Sequence, residues 1–277
     1  MIDADEFDKI IYQKQIGIVG VNQVMWNQVV KKSTNMVNAA GWVHEHSGAD
    51  FHDLEIMEYK ENVKEKLLPY LNNHKNILEI GCGSGLLMYE LAPYTKHYTG
   101  IDFSKEVIRN NLKYIEQKCI SNITVKQLSA HEIEFLGENK YDIIIINSVI
   151  QYFPCMEYLE KVWKSIITVM KNIGIIFIGD IRDKGKQYEY YMSLIGDGEV
   201  LPDEIEYFIE EKMANENELF VYKNYFKHLK KEEYVINVEI TDKVGSIENE
   251  LTKYRYDAMI HVEKKDTLMK LINRDFI

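Results

Sequence analysis

Four consecutive isoleucines, Ile143 to Ile146, and the run Ile175-Ile176-Phe177-Ile178 leave few folds open to this chain. Side chains of a strand alternate between its two faces, so a strand that is apolar at every position needs cover on both. A parallel sheet wrapped by helices meets that need. From Asn76 to Asp180 short apolar runs alternate with helical periodicity, which predicts strands at Ile77–Ile80, His97–Asp102, Ile123–Gln127, Tyr141–Asn147 and Gly174–Asp180. Helices are predicted at about Gly85–Leu91, Lys105–Lys118 and Glu157–Met170, with only an abbreviated one around Ala130–Phe135.

Four segments follow from this reading. Residues 1–75 form a helical cap, with helices over about Asp3–Gln15 and Val19–Asn35 and a third whose stripe is Leu54, Met57, Val63, Leu67, Leu68 and Leu71, ending near Pro69. Residues 76–182 form the doubly wound core. Residues 183–232 are acidic, rich in Tyr, Phe and Met, and helical in period. They are expected to lie over the site as a lid, with Tyr188, Tyr190, Tyr191, Met192 and Phe208 as its wall. Residues 233–277 complete the sheet, because "EYVINVEI" and "TKYRYDAMIHVEK" alternate as an antiparallel pair of strands joined through "TDKVGSIEN".

Composition narrows the partners. The 277 residues are 46% apolar, enough for a sizeable core. The formal charge of −11 opposes sequence-independent binding to nucleic acid, whose affinity comes from Lys and Arg on phosphates. The acidic start "MIDADEFDKI" has no apolar signal region, and no apolar run is long enough to span a bilayer, so no membrane partner is expected. Cys82, Cys119 and Cys155 form neither an even set nor a CxxC pair, which fits a reducing cytoplasm. No residue pattern indicates an oligomeric state.

The turn "ILEIGCGSGLL" follows the first core strand and brings glycines at Gly81, Gly83 and Gly85. Such a turn lets a ligand rest against bare backbone at the mouth of the next helix. A dinucleotide fingerprint would be GxGxxG, and Leu86 and Leu87 break it at the third glycine. Glu79, two residues before the turn, would also repel a pyrophosphate. A cofactor without phosphate fits better.

The pattern E-x-G-x-G-x-G, with Asp102 ending the second strand in "HYTGIDFS", resembles the class I S-adenosylmethionine-dependent methyltransferases. The resemblance implies an α/β, doubly wound Rossmann-like sheet of seven strands, mostly parallel with the last antiparallel, and S-adenosyl-L-methionine as cofactor with S-adenosyl-L-homocysteine as product. It places Gly81, Gly83 and Gly85 along the amino-acid and ribose parts, and gives Glu79 the loop or the ammonium. Asp102 and the adjoining Phe103 fall at the ribose, Asp102 accepting both hydroxyls. Ala130 and His131 in "VKQLSAHEIEF" fall at adenine, although many relatives carry Asp after the Ala. Asn147 and Ser148 flank the methyl-donating end.

"AGWVHEHSGADF", "YDIIIINSVIQYFP", "GIIFIGDIR" and "NELTKYRYDAMIHV" are similar to the N-methyltransferase domains embedded in nonribosomal peptide synthetases, over about Ala40 to Val262. This implies a free-standing relative that methylates nitrogen on a small molecule or on an aminoacyl or peptidyl group held by a carrier protein, in natural product biosynthesis. One departure is the run Gly41-Trp42-Val43-His44-Glu45-His46, where small polar residues are usual. In an extended segment His44 and His46 share a face, as a base, a substrate clamp, a metal site or a solvated loop. No metal is assigned. Two further candidates sit at the carboxyl ends of strands: Tyr152, offering its ring to the sulfonium, and Arg182, holding a substrate carboxylate or pairing with Asp183 or Glu189. O-methylation of a carboxylate or hydroxyl, and a binding partner without turnover, stay open.

Overall fold

The computed structural model describes residues 4–33, 35–42, 44, 49–195, 202–243 and 245–264. In chain order the elements are α1 (Ala4–Lys32), α2 (Met36–Ala39), α3 (Asp53–Leu67), β1 (Asn76–Ile80), α4 (Leu86–Leu91), β2 (His97–Asp102), α5 (Lys105–Gln117), β3 (Ile123–Gln127), β4 (Tyr141–Asn147), α6 (Met156–Val169), β5 (Met170–Arg182), α7 (Gln187–Ser193), α8 (Pro202–Ala214), α9 (Lys223–His228), β6 (Val235–Asp242), α10 (Glu250–Tyr254) and β7 (Arg255–Glu263). Between β3 and β4 the abbreviated helix is a 3-10 segment, Ala130–Leu136.

The seven strands make one sheet in the order β3-β2-β1-β4-β5-β7-β6. β1 to β5 run parallel, while β7 is antiparallel to both β5 and β6. The isoleucine run explains itself here. All of β4 is buried, and its side chains alternate between two cores: Ile144 and Ile146 join α6 on one face, Ile143 and Ile145 join α3, α4 and α5 on the other. The order reverses between β1 and β4, opening a crevice at their carboxyl ends.

Three local readings are corrected. The first two expected helices are one, α1, because Gly17 and Gly20 weaken a helix by only about 1 kcal/mol each and no proline stops it. β5 begins at Met170, the last residue expected of the preceding helix. In α3 the buried stripe is Ile56, Tyr59, Val63 and Leu67, whereas Leu54 and Met57 are half exposed. At about 100° per residue Leu54 lies opposite Val63, and helical phase overrides hydrophobicity.

Residues 184–195 and 202–231 build a unit beside the β4–β5 end. Tyr190, Tyr191, Ile209 and Phe220 bury one another, with Phe208 packed against them. Tyr188 and Met192 face outward, so the expected aromatic wall turns mostly onto itself.

Candidate active site

The glycine turn is shaped by the protein on two sides and open on the third. Gly81, Gly83 and Gly85 all have positive φ, +74°, +49° and +88°, a region that favours glycine. A Cβ on Gly81 would stand 2.5 Å from Val149, and one on Gly85 would stand 2.3 Å from Tyr89 and 2.8 Å from Asn111. Around Gly83 nothing lies within 4 Å. The backbone there is bare and faces space.

Asp102 fastens this turn. Gly83 N donates to its Oδ2 at 3.1 Å and Ser104 N to its Oδ1 at 2.8 Å, while Asn111 Nδ2 donates to Gly83 O at 2.8 Å. Burial pushes the Asp102 carboxyl up to about 6, against the two backbone donors. Burial likewise pushes Glu79 up to about 8; the Tyr98 hydroxyl bond lowers it and the Asp102 charge raises it.

Above the turn lies a cleft that opens to solvent. Its floor comes from the β1 turn, Asp102 and Phe103 after β2, Leu128 to Ala130 after β3, and Asn147 to Val149 with Tyr152 after β4. Its cover comes from the cap: Val19, Asn22 and Trp26 of α1, Trp42, and Tyr59 of α3. Polar side chains pin α1 across it: Asn22 Nδ2 donates to Tyr152 O at 3.1 Å, Gln23 to Phe103 O, and Asn27 Oδ1 accepts from Ser104 Oγ at 2.7 Å. The Trp26 ring meets Tyr152 edge-on at 5.4 Å.

Nine of the expected residues therefore share one cleft: Glu79, Gly81, Gly83, Asp102, Phe103, Ala130, Asn147, Ser148 and Tyr152. Gly85 stands behind it as the residue capping α4. His131 is one residue beyond the lining and places Nδ1 2.8 Å from the Tyr158 hydroxyl, which belongs to a cleft residue; burial lowers its pKa. His44 is not in the lining. Its Nε2 lies 3.1 Å from Glu55 Oε2 and its ring stacks on Phe51 at 4.0 Å, while His46 lies outside the described residues. Arg182 is buried away from the cleft. It pairs with Glu218 and lies 5.3 Å from the ring centres of Tyr190 and Phe220.

Tyr59, Asn22 and Trp26 were not singled out by sequence reasoning. The one signal for Tyr59 is a hydroxyl within a buried stripe, and α1 carries none, since a covering face and a core face have the same periodicity. Among the described residues no group of three or more His, Cys, Asp or Glu is placed to hold a metal ion, and no helix is long and apolar enough to cross a membrane.

The donor set fits an S-adenosylmethionine-like cofactor. Ser84 Oγ, on a cleft residue, is buried without a hydrogen-bond partner, Gly83 leaves open space, and two acidic residues, Glu79 and Asp102, belong to the lining. No Lys or Arg side chain lines the cleft among the described residues, so a phosphate group would find no side-chain countercharge there. The sheet order, the glycine turn and the acid after β2 together define a class I S-adenosylmethionine-dependent methyltransferase.

The chain belongs to the methyltransferase domain family, which it matches over residues 71–273. It is similar to chondramide synthase of Chondromyces crocatus, 34% identical over 235 residues that make up 81% of this chain and 6% of that protein. Similarity to enniatin synthetase of Fusarium oxysporum is 30% over 235 residues, 80% of this chain and 7% of the synthetase. The chain thus spans well under a tenth of these relatives. Among solved structures, the N-methyltransferase NodS of Bradyrhizobium japonicum in complex with S-adenosylhomocysteine shares the fold, with a TM-score of 0.53 at 17% identity over 77% of this chain and 89% of that one.

Proposed function

We propose that this methyltransferase transfers a methyl group to an amine nitrogen of a small molecule, or of an aminoacyl or peptidyl intermediate held on a carrier protein. The observation that carries this reading is the absence of positive charge in the cleft: the acids Glu79 and Asp102 line it, and no cationic side chain does among the described residues. A carboxylate substrate would find no countercharge there, whereas a neutral amine needs none. The similarity to chondramide and enniatin synthetases supports a substrate from peptide assembly.

S-adenosylmethionine supplies a methyl group already activated by its sulfonium. The chain's own residues then bind, align and keep water out. Gly83 gives close approach, Asp102 accepts from the ribose hydroxyls, and Glu79 faces the cationic end. Trp26 and Tyr152 close the acceptor side, Tyr152 presenting an aromatic face to positive charge. The unit formed by α7 to α9 flanks that side, Leu219 N donating to Gln151 O at 2.8 Å. His44, tied to Glu55, has no part in this reading.

Methyl-labelled S-adenosylmethionine with an extract of source cells tests it. Label is expected in a small molecule, or on protein and released by mild thioester cleavage, and then recovered as an N-methyl amine after acid hydrolysis. Label lost as methanol on hydrolysis would instead establish a methyl ester and sink the nitrogen assignment.

A further inference from the structure

Hydroxyls of the cleft floor and of its cover form a chain whose direction is set from one end. Asp180 is fully buried at the end of β5, with Arg255 Nη1 2.7 Å from its Oδ2 and Lys243 Nζ 3.2 Å from its Oδ1. Burial opposes the charge, but these two cations hold the carboxyl well below the usual carboxylate range. A carboxylate only accepts, so Ser148 Oγ, 2.7 Å from Asp180 Oδ2, gives its one proton there. The Tyr59 hydroxyl lies 3.1 Å from the same Ser148 oxygen and must be the donor in that contact. Its oxygen in turn receives Asn147 Nδ2.

Burial first, and then the Asp180 charge, push the Tyr59 phenol up, so it stays neutral. With its proton committed to Ser148, the phenol has a lone pair to offer and no proton. Tyr59, Asn147 and Ser148 all line the cleft.

The backbone is strained to achieve this. Ser148 and Asp180 have φ of +58° and +60°, the left-handed region that non-glycine residues avoid. Such conformations persist only where the surroundings over-determine them. Here Ser148 N donates to Gly179 O at 3.1 Å and Asp180 N to Asp257 Oδ1 at 2.8 Å, with Asp257 itself held by Lys66 at 2.6 Å and Asn62 at 2.8 Å.

We propose that Tyr59 is a catalytic residue that accepts a hydrogen bond from the acceptor nitrogen, and that Ser148 and Asp180 are positioning residues that keep the phenol proton turned away from it. This rests on the nitrogen-methylation reading above and adds to it a substrate class: a neutral nitrogen that carries at least one hydrogen. In the transfer the nitrogen lone pair becomes the new N–C bond, the pair of the broken S–C bond returns to sulfur, and the nitrogen keeps its hydrogen while taking up the positive charge. It then loses a proton to solvent. The N–H bond to Tyr59 strengthens as that charge grows, which is stabilisation specific to the transition state. A nitrogen without hydrogen gains nothing from Tyr59, so methylation stops before a quaternary ammonium.

The test uses the full chain, labelled S-adenosylmethionine and the N-acetylcysteamine thioesters of alanine, valine and phenylalanine, each with its N,N-dimethyl and 2-hydroxy counterpart. Transfer to an amine and none to its N,N-dimethyl form is expected. Tyr59→Phe should lower kcat at saturating amine at least tenfold while Kd for S-adenosylmethionine stays within twofold, and Ser148→Ala, which frees the phenol proton, should lower kcat several-fold. Wild-type kcat in Tyr59→Phe, or transfer to an N,N-dimethyl probe by the unaltered protein, would overturn this assignment and leave nitrogen methylation standing. Transfer to the hydroxy probes alone, or to no amine, would overturn both.

Discussion

The Tyr98 hydroxyl donates to Glu79 Oε2 across 3.0 Å, beneath the glycine turn, with both side chains buried. The bond holds the Glu79 side chain in place without giving it a countercharge. Its carboxyl stands at about 8, above its ordinary 4.5. An acid with a raised folded pKa binds more protons folded than unfolded, so the ligand-free protein loses stability as pH climbs through that window. The cationic end of S-adenosylmethionine reverses the preference by favouring ionised Glu79. Affinity is expected to rise about tenfold between about pH 6.5 and about pH 8.5, with release of a proton. Calorimetry in two buffers of different ionisation enthalpy reads the proton, and Glu79→Gln should flatten the profile. An unchanged proton count would show that Glu79 does not meet the cofactor.

Asp102 does two things at once, receiving two backbone N–H groups and facing the cleft. Asp102→Ala should weaken S-adenosylmethionine binding at least tenfold, about 1.5 kcal/mol of lost charged hydrogen bonds. Equilibrium binding by fluorescence quenching would decide it; wild-type affinity would remove Asp102 from the ribose.

The turn glycines separate by what lies next to them. Alanine in the left-handed region costs roughly 1–2 kcal/mol at either Gly83 or Gly85. Gly83→Ala should lose little more than that in Tm but much of the cofactor affinity, since its Cβ enters the open side. Gly85→Ala should destabilise further, because its Cβ runs into Tyr89 and Asn111. Equal loss of affinity with equal loss of Tm would mean that all the glycines serve the turn alone.

Arg182, expected as a substrate clamp or a surface ion pair, is buried against Glu218, Tyr190 and Phe220. Arg182→Ala removes the ion pair between Arg182 and Glu218 and takes the guanidinium from Tyr190 and Phe220. The expected cost is roughly 3 kcal/mol, read as a lower Tm and faster proteolysis within α7 to α9, with Kd for S-adenosylmethionine unchanged. A raised KM for the acceptor at unchanged Tm would return Arg182 to the substrate.

What the sequence makes legible is local. The parallel core follows from side-chain alternation within single runs such as Ile143 to Ile146, and the donor half of the site follows from fixed spacing between Glu79, Gly83 and Asp102. What it hides is set across long separations. Tyr59 reaches Ser148 from 89 positions away, and Asn22 reaches Tyr152 from 130. His44, open in sequence to the roles of base, clamp, metal ligand or solvated loop, lies against Glu55, eleven residues on. Burial works against the charge of Glu55, but the His52 backbone, Asn249 and His44 hold its carboxyl below its ordinary value. Those partners are settled by how α3 docks, and no periodicity records that.

The strand order also dictates when the acceptor end of the site can exist during synthesis. β6 touches the sheet only through β7, which comes after it in the chain and inserts between it and β5. Arg255 and Asp257, which hold Asp180, sit on that later strand, 75 and 77 residues downstream. A nascent chain leaving the ribosome can therefore shape the glycine turn while Asp180 still lacks its Arg255 counterion and its Asp257 partner. Contacts so distant in sequence form slowly, and until β7 docks the β5 edge is an unpaired template for the wrong strand.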